Sequence, residues 1–134
     1  MSMIIVIDGE PQGKGRPRFW QGHAVTPPGT RDYERQVAAA YTGRMLEGAI
    51  KIEIWSFFKI PKSASKKDKA LMEQNILMPT KKPDIDNIQK IVLDGLQGRA
   101  YEDDKQIVEV TAHKRYGEPP RVEIEVKEYS NEQR

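Results

Sequence analysis

Hydrophobic positions along the chain follow two periods, and the shorter period predicts strands. Ile50, Ile52 and Ile54 alternate with Lys51 and Glu53, which is typical of a strand with one buried face. A β-branched run near the N-terminus and two alternating segments near the C-terminus have the same character. The four predicted strands are 3–8, 50–58, 104–115 and 121–129. Because a Gly-Glu-Pro-Pro turn separates the last two, we expect them to pair as a hairpin.

Three other segments place apolar residues three and four positions apart, the spacing of an amphipathic helix. The first follows Thr30, a suitable N-cap, and ends before Gly48, whereas the third ends before Gly98. The predicted helices are 31–46, 65–76 and 84–97, the second being the weakest. With the strands they give the order β-α-β-α-α-β-β. We therefore predict an α+β fold, a single domain over residues 1–134 with helices packed on a mixed sheet of about four strands.

The composition permits one core and excludes several classes of site. Of the 134 residues, 37% are hydrophobic, which suffices for one domain of modest size. The absence of cysteine excludes disulfide scaffolds, thiolate metal sites and thiol catalysis. The longest apolar runs fall far short of the roughly 20 residues that a bilayer span requires, and no signal peptide is recognisable. We expect a cytoplasmic protein that does not contact a membrane.

Charge is sorted along the chain although the net charge is only +2. Residues 14–45 carry a local charge of +4 and residues 59–82 carry +5, whereas residues 84–104 carry −4. Such blocks are often simply solvated faces. Two basic blocks around an acidic one also suit a polyanion, because clustered carboxylates repel phosphates unless a cation lies between them. The pattern favours a metal-dependent enzyme that acts on nucleic acid.

The glycine-rich segment 9–18 matches no nucleotide-binding motif. It has too few residues before Gly13 and Lys14 for a Walker A loop, and Arg18 occupies the position of the third glycine of a dinucleotide fingerprint. Two interpretations stay open. The segment is either a flexible basic loop, or a loop whose small residues let Lys14, Arg16 and Arg18 approach a phosphate backbone.

The acidic block contains two clusters that together suggest a metal site. Asp84 and Asp86 begin the third predicted helix, and Asp103 and Asp104 begin the following strand. Carboxylates at a helix start are often only favourable caps, and an EF-hand is excluded because its later ligands are missing. If the chain folds back after Gly98, however, three of these aspartates converge into a site suited to Mg²⁺. We expect Asp84 and Asp86 to meet one carboxylate of the second cluster in this way, and the spacing alone does not choose among Glu102, Asp103 and Asp104.

Lys90 is the cation nearest in sequence to these carboxylates. It lies four residues after Asp86 and therefore on the same helical stripe. It either forms an ordinary ion pair with that carboxylate or stabilises the charge that builds up on a phosphate during reaction. Spacing alone leaves both roles open.

Two linked motifs resemble the RusA family of Holliday-junction resolvases. The first, K-P-D-x-D-N-x-x-K-x-x-x-D-x-L, begins at Lys82, and the second, D-D-x-Q-I-V, begins at Asp103. The basic loop and segment 61–63 extend the similarity to the longer, phage-associated members. The resemblance implies a homodimeric, Mg²⁺-dependent endonuclease, in which Mn²⁺ is expected to substitute. Such an enzyme nicks four-way junctions symmetrically in recombination and repair.

The same resemblance implies roles for individual residues. Asp84, Asp86 and Asp104 correspond to the essential aspartates and metal ligands, and Lys90 to the catalytic lysine. Asp103 remains a candidate for a further ligand. Shorter members carry a basic residue where this chain has proline before the first aspartate, and neighbouring lysines would supply that charge. The residues expected to bind DNA are Lys14, Arg16, Arg18, Lys62, Lys66, Lys67, Lys81 and Lys82.

Two other functions remain open. A less selective nuclease for flaps and other branched DNA would use the same carboxylates, and only a panel of substrates separates the two. A non-cleaving junction-binding protein would bind DNA without Mg²⁺ and without the aspartates. Trp20 adds an alternative of its own: an aromatic residue beside a basic loop either packs in the core or stacks on a base exposed at a junction.

Overall fold

The fold is a four-stranded mixed sheet with two helices packed on one face and a small separate hairpin. The computed structural model describes residues 2–16 and 18–129. The helices are α1 (Pro28–Ala40), α2 (Lys66–Glu73) and α3 (Ile85–Leu96), with a 3-10 turn at Asp104–Gln106. The strands are β1 (Ser2–Asp8), β2 (Arg18–Trp20), β3 (His23–Val25), β4 (Ile50–Phe58), β5 (Ile107–Tyr116) and β6 (Arg121–Glu128). The predicted α+β class is confirmed.

The order of strands in the sheet is β1-β6-β4-β5, and it corrects one prediction. β6 is antiparallel to both β1 and β4, whereas β4 and β5 are parallel. The expected hairpin of the last two strands is therefore wrong, because β4 lies between them. Their connection crosses the end of β4, where the Gly117 N–H donates to the Phe58 carbonyl. Alternation shows which residues face the core, but it does not show which strands are neighbours.

Two helices lie close to their predicted positions, whereas α1 is displaced. The prediction of Thr30 as N-cap is wrong: α1 has Pro28 in its first turn and ends at Ala40, six residues earlier than predicted. Proline is favoured at a helix start because its missing N–H is not needed there. Thr30 is buried inside the helix, and its hydroxyl accepts a hydrogen bond from the Gly15 N–H at 3.0 Å. None of the helices described is long and apolar enough to cross a bilayer.

The core lies between the sheet and helices α1 and α3. Alternate residues of β4 and β6 are buried on this side. The two helices approach closely at Gly95, where an added Cβ would lie 2.8 Å from the Cβ of Val37. This packing fixes the rotation of α3 about its axis. As a result, the stripe that carries Asp86, Lys90 and Asp94 stays exposed to solvent.

Strands β2 and β3 form a separate two-stranded ribbon that the hydrophobic pattern does not predict. The turn between them has positive φ at Gln21 (50°) and at Gly22 (81°). Positive φ at both central residues is the requirement of a two-residue hairpin turn of type I′. Strands of three residues are too short to show a recognisable alternation, so the sequence indicates only a basic loop here.

Candidate active site

The start of α3 presents two carboxylates to solvent. Asp84 is the N-cap residue in an extended conformation, Asp86 lies in the first turn, and both are exposed. Among the residues that the structure describes, no N–H of the helix donates a capping hydrogen bond to the Asp84 side chain. Helix capping therefore does not explain Asp84, whose oxygens are available to another ligand.

The glycine-rich loop packs directly against this helix start. The Lys14 N–H donates to the Asn87 carbonyl at 2.9 Å. At Gly13, an added Cβ would lie only 2.8 Å from the Cβ of Pro83 and 3.0 Å from that of Asn87, so a larger residue would force the loop and helix apart. The cavity between them, of about 280 Å³, is lined by Gly13, Lys14, Arg16, Lys82, Pro83, Asp84 and Asn87. Cationic side chains and a carboxylate thus share one cavity.

The Lys14 side chain ties the loop to both helices. Its ammonium group lies 2.6 Å from a Glu34 oxygen on α1 and 3.0 Å from an Asp94 oxygen on α3. Burial lowers the pKa of Lys14, but the hydrogen bonds and charges of the two carboxylates outweigh it, and the net pKa is raised. The sequence places Lys14 among the DNA-binding residues. Its two ion pairs hold the loop on both helices, and DNA binding by Lys14 stays a prediction.

The second acidic pair lies at the other end of α3 and is already held by the protein. The Asp103 side chain accepts from the Lys105 N–H at 2.9 Å, while the Gln106 side chain accepts from the Asp103 N–H, a reciprocal cap. The Lys105 N–H and a hydrogen bond with Asp104 lower the pKa of Asp103. The pKa of Asp104 is raised, first by that hydrogen bond and then by slight burial and the charges of Asp103 and Asp94. Asp103 therefore caps the 3-10 turn.

The expected convergence of three aspartates is wrong for a single chain. Asp94 lies ten residues after Asp84, a separation of about 15 Å along a helix axis. Asp104 is close enough to Asp94 for their charges to interact. Within residues 2–16 and 18–129, no three His, Cys, Asp or Glu side chains are grouped closely enough to hold a metal ion. Asp86 and Asp104 thus lie toward opposite ends of α3.

The path of the chain after α3 explains this separation. The Ala100 N–H donates to the Leu96 carbonyl at 2.8 Å, so the chain turns at once and starts β5 near the helix end. β5 then returns along α3, and the Lys114 ammonium donates to the Lys81 carbonyl at 2.6 Å. The residue that β5 brings to the start of α3 is therefore Lys114, whereas Asp104 lies near the end of α3.

Most of the predicted DNA-binding residues are exposed. Lys81 lies beside the start of α3, where its ammonium is 5.6 Å from the centre of the Phe58 ring, and Lys114 is 5.2 Å from the same ring. Lys114 is missing from the predicted set, because that set follows charge along the chain and not across strands. The side chain of Arg18 lies outside the described part of the molecule. The exposed residues are Arg16, Lys62, Lys66, Lys67, Lys81 and Lys82.

Lys90 is exposed and takes part in none of the ion pairs found among the described residues. The ordinary ion pair with Asp86 is thus not formed. Lys90 lines a cavity of about 420 Å³ next to the first one, together with Asn87 and Asp94. A cation one turn from Asp86 is therefore available to an anionic ligand.

Comparison with known proteins identifies the family of the chain. The model of the family described as "Endodeoxyribonuclease RusA" matches residues 8–127. The chain belongs to the RusA family. Membership places the chain among enzymes that hydrolyse DNA. The match confirms the resemblance seen in the two motifs.

The chain is also similar to a protein of Bacillus subtilis (strain 168) described as "Uncharacterized protein YqaN". The two are 35% identical over 134 positions, which cover 92% of this chain and 94% of that protein. The relative thus matches in length as well as in sequence, although its description names no activity.

Proposed function

We propose that this RusA-family protein is a Mg²⁺-dependent endonuclease that resolves four-way DNA junctions in recombination and repair. One observation carries the proposal: Asp84 shares a single cavity with Arg16 and Lys82. A carboxylate suits a hard cation and the basic side chains suit phosphates, so the cavity has ligands for both partners of a phosphodiester cleavage.

The residues at the start of α3 fit a magnesium ion. Mg²⁺ is usually bound by one or two carboxylates together with water and substrate phosphates. Asp84 and Asp86 are exposed oxygen ligands of this kind, and Mn²⁺ prefers the same ligands. A bound divalent cation supplies a water of lowered pKa as nucleophile and neutralises charge at the phosphate.

The surrounding cations have distinct tasks in this proposal. Arg16 and Lys82 hold the phosphate backbone in the cavity, which orients the scissile bond toward Asp84. Lys90 is exposed one turn beyond Asp86 and stabilises the negative charge that develops on the leaving 3′ oxygen. The products are then a 5′-phosphate and a 3′-hydroxyl. Lysines 62, 66 and 67 hold the duplex arms electrostatically.

A homodimer completes the proposed site. Two-fold symmetry presents two sites to two related strands of a junction. The distance between Asp104 and the pair Asp84 and Asp86 within one chain supports a further role for the second copy: Asp104 of the partner subunit lies beside this pair and supplies the third carboxylate. The distance of Asp104 from Asp84 and Asp86 argues against a metal site within one chain and for a metal site shared by two chains.

Cleavage of a synthetic four-way junction tests the function directly. We expect paired nicks in Mg²⁺ and none in EDTA. Asp86→Asn should reduce cleavage at least about 100-fold, since a metal site contributes several kcal/mol, while junction binding remains. Normal cleavage by this variant would overturn the proposed metal site. Equal cleavage of flaps would favour the less selective nuclease, and binding with no cleavage at all would favour the binding protein.

Mixing two inactive variants tests the shared site. If Asp104 acts across the dimer, a mixed dimer of Asp86→Asn and Asp104→Asn contains one intact site. Random exchange of subunits then restores roughly one quarter of the wild-type sites. The matched control is a mixture of Asp86→Asn with Asp84→Asn, which restores none because both changes lie in the same half of each site. No recovery in either mixture would contradict the shared arrangement.

A further inference from the structure

The ribbon of β2 and β3 carries two large aromatic side chains that the described molecule leaves uncovered. Phe19 is 80% exposed and Trp20 is 69% exposed. A two-stranded hairpin is marginally stable by itself, and burying these rings in the core would have stabilised it. Their exposure therefore points to a partner that covers them.

The loop that precedes the ribbon is fixed beside the proposed active site. The preceding loop is bonded to Asn87 on α3 through the Lys14 N–H, and to Thr30 on α1 through the Gly15 N–H at 3.0 Å. Arg16, which lines the cavity with Asp84, comes two residues before the ribbon. A substrate whose backbone lies in the cavity is therefore within reach of the ribbon. Cations interleaved with aromatic rings suit a nucleic acid, because they serve phosphates and bases together.

The two rings lie on opposite faces of the ribbon. Phe19 pairs with Ala24 and Trp20 pairs with His23, and successive residues of a strand point to opposite sides. A flat protein surface would cover only one of them. An element inserted between two layers of bases contacts both, as apolar wedges do when they separate base steps.

We propose that the ribbon is a wedge that enters the branch point of a DNA junction, where Phe19 and Trp20 stack on bases on either side. This inference rests on the proposed function and extends it. Duplex DNA has no gap at which such a wedge enters without unstacking a base step. The ribbon therefore supplies selectivity for branched DNA, whereas the basic residues supply affinity for any duplex.

Junction and duplex binding by aromatic variants tests the wedge. The full-length variants are Phe19→Ala, Trp20→Ala and the double change, with Trp20→Phe as the conservative variant. Tyr129→Ala is the matched control, because Tyr129 is an aromatic residue 46% exposed near the end of β6. Dissociation constants are measured in EDTA on a four-way junction and on a duplex of the same sequence. A 2-aminopurine base placed at the branch point reports stacking.

Each Ala variant should lose about 5- to 100-fold in junction affinity, the range for one base-stacking side chain. Duplex affinity should not change, and the 2-aminopurine signal of the wild type should disappear in the double variant. Trp20→Phe and Tyr129→Ala should behave as the wild type.

Equal losses of affinity on both DNAs would overturn the wedge, as would a double variant that still prefers the junction to the duplex. Dissociation of the dimer in sedimentation would assign the rings to a second copy instead. A wild type with no junction preference would overturn the proposed function as well.

Discussion

The two ends of α3 carry similar carboxylates, but these differ in how they are bonded within the protein. At the start, Asp84 and Asp86 are exposed, and Asp84 accepts no capping hydrogen bond from the described part of the chain. At the end, Asp94 is paired with Lys14, and Asp103 caps a turn. The carboxylates of α3 and of the turn after it therefore form two groups. Asp84 and Asp86 are available to ligands, whereas Asp94 and Asp103 are bonded within the protein.

This difference shows why acidic residues alone do not define a metal site. A polar group whose hydrogen bonds are already formed within the protein contributes to stability, whereas one left open at a cavity is a candidate for function. The sequence presents both groups as one acidic block. Only the contacts of each side chain separate them.

Replacing one aspartate at each end of α3 should show the difference between the two ends most clearly. Asp84→Asn should lower junction cleavage at least about 100-fold, because it removes a metal ligand. Asp94→Asn should lower it less than about 10-fold, since it only loosens Lys14. Single-turnover cleavage at saturating protein measures both. Equal losses would show that the two ends do not differ in function.

Replacing Gly95 and Gly13 with alanine should affect stability and cleavage to different extents. Gly95→Ala should destabilise the fold by about 1–3 kcal/mol, the usual cost of overpacking, because the new Cβ would meet Val37 and the Glu34 carbonyl. Gly13→Ala should cost less stability, since a loop moves more easily than a helix, but it should reduce cleavage by shifting Arg16. Urea unfolding and cleavage rates are compared for both variants. Equal stability losses would contradict this division.

Removing a lysine of the proposed site and a lysine that is paired elsewhere should show how the two differ in binding DNA. Lys82→Ala should reduce the slope of log affinity against log salt by about 1, because one phosphate contact is lost. Lys51→Ala should leave the slope unchanged, because the Lys51 ammonium lies 3.1 Å from a Glu109 oxygen and its charge is balanced within the protein. Titrations of duplex DNA at several salt concentrations measure both slopes. A larger change for Lys51→Ala would contradict the proposed position of the DNA beside Lys82.

The smallest effect is expected for the Lys14 ion pairs. Lys14→Met should destabilise the protein by about 1 kcal/mol or less at pH 7, as partly exposed pairs do. The pKa of Lys14 is raised in the folded state above its ordinary 10.5, so its contribution is present below pH 10.5 and is lost as pH rises beyond the folded pKa. Urea unfolding of both proteins from pH 7 to 12 should show the difference shrinking. A difference that grows with pH would contradict the assignment.

The sequence predicts those features that depend on local pattern. The alternation in β4 and the apolar stripe of α3 predict both elements within one or two residues. The motif around Asp84 and Asp86 predicts carboxylates at the helix start, where both are exposed. The position of β6 beside β4 and the place where β5 begins are set by long-range packing, so neither follows from periodicity. The expected meeting of Asp104 with Asp86 fails for that reason.

The loop before the ribbon is hydrogen-bonded to two helices, whereas the tip of the ribbon is open, and this makes the length of the ribbon adjustable. A Cβ added at Gly22 would meet no atom of the described residues within 4 Å apart from its chain neighbours, whereas Lys14 and Gly15 in the preceding loop are bonded to Asn87 and Thr30. Each residue added to both strands would extend the reach by about 3.3 Å without disturbing those bonds. A graded series of extended ribbons would thus serve as a ruler for the depth of the junction centre.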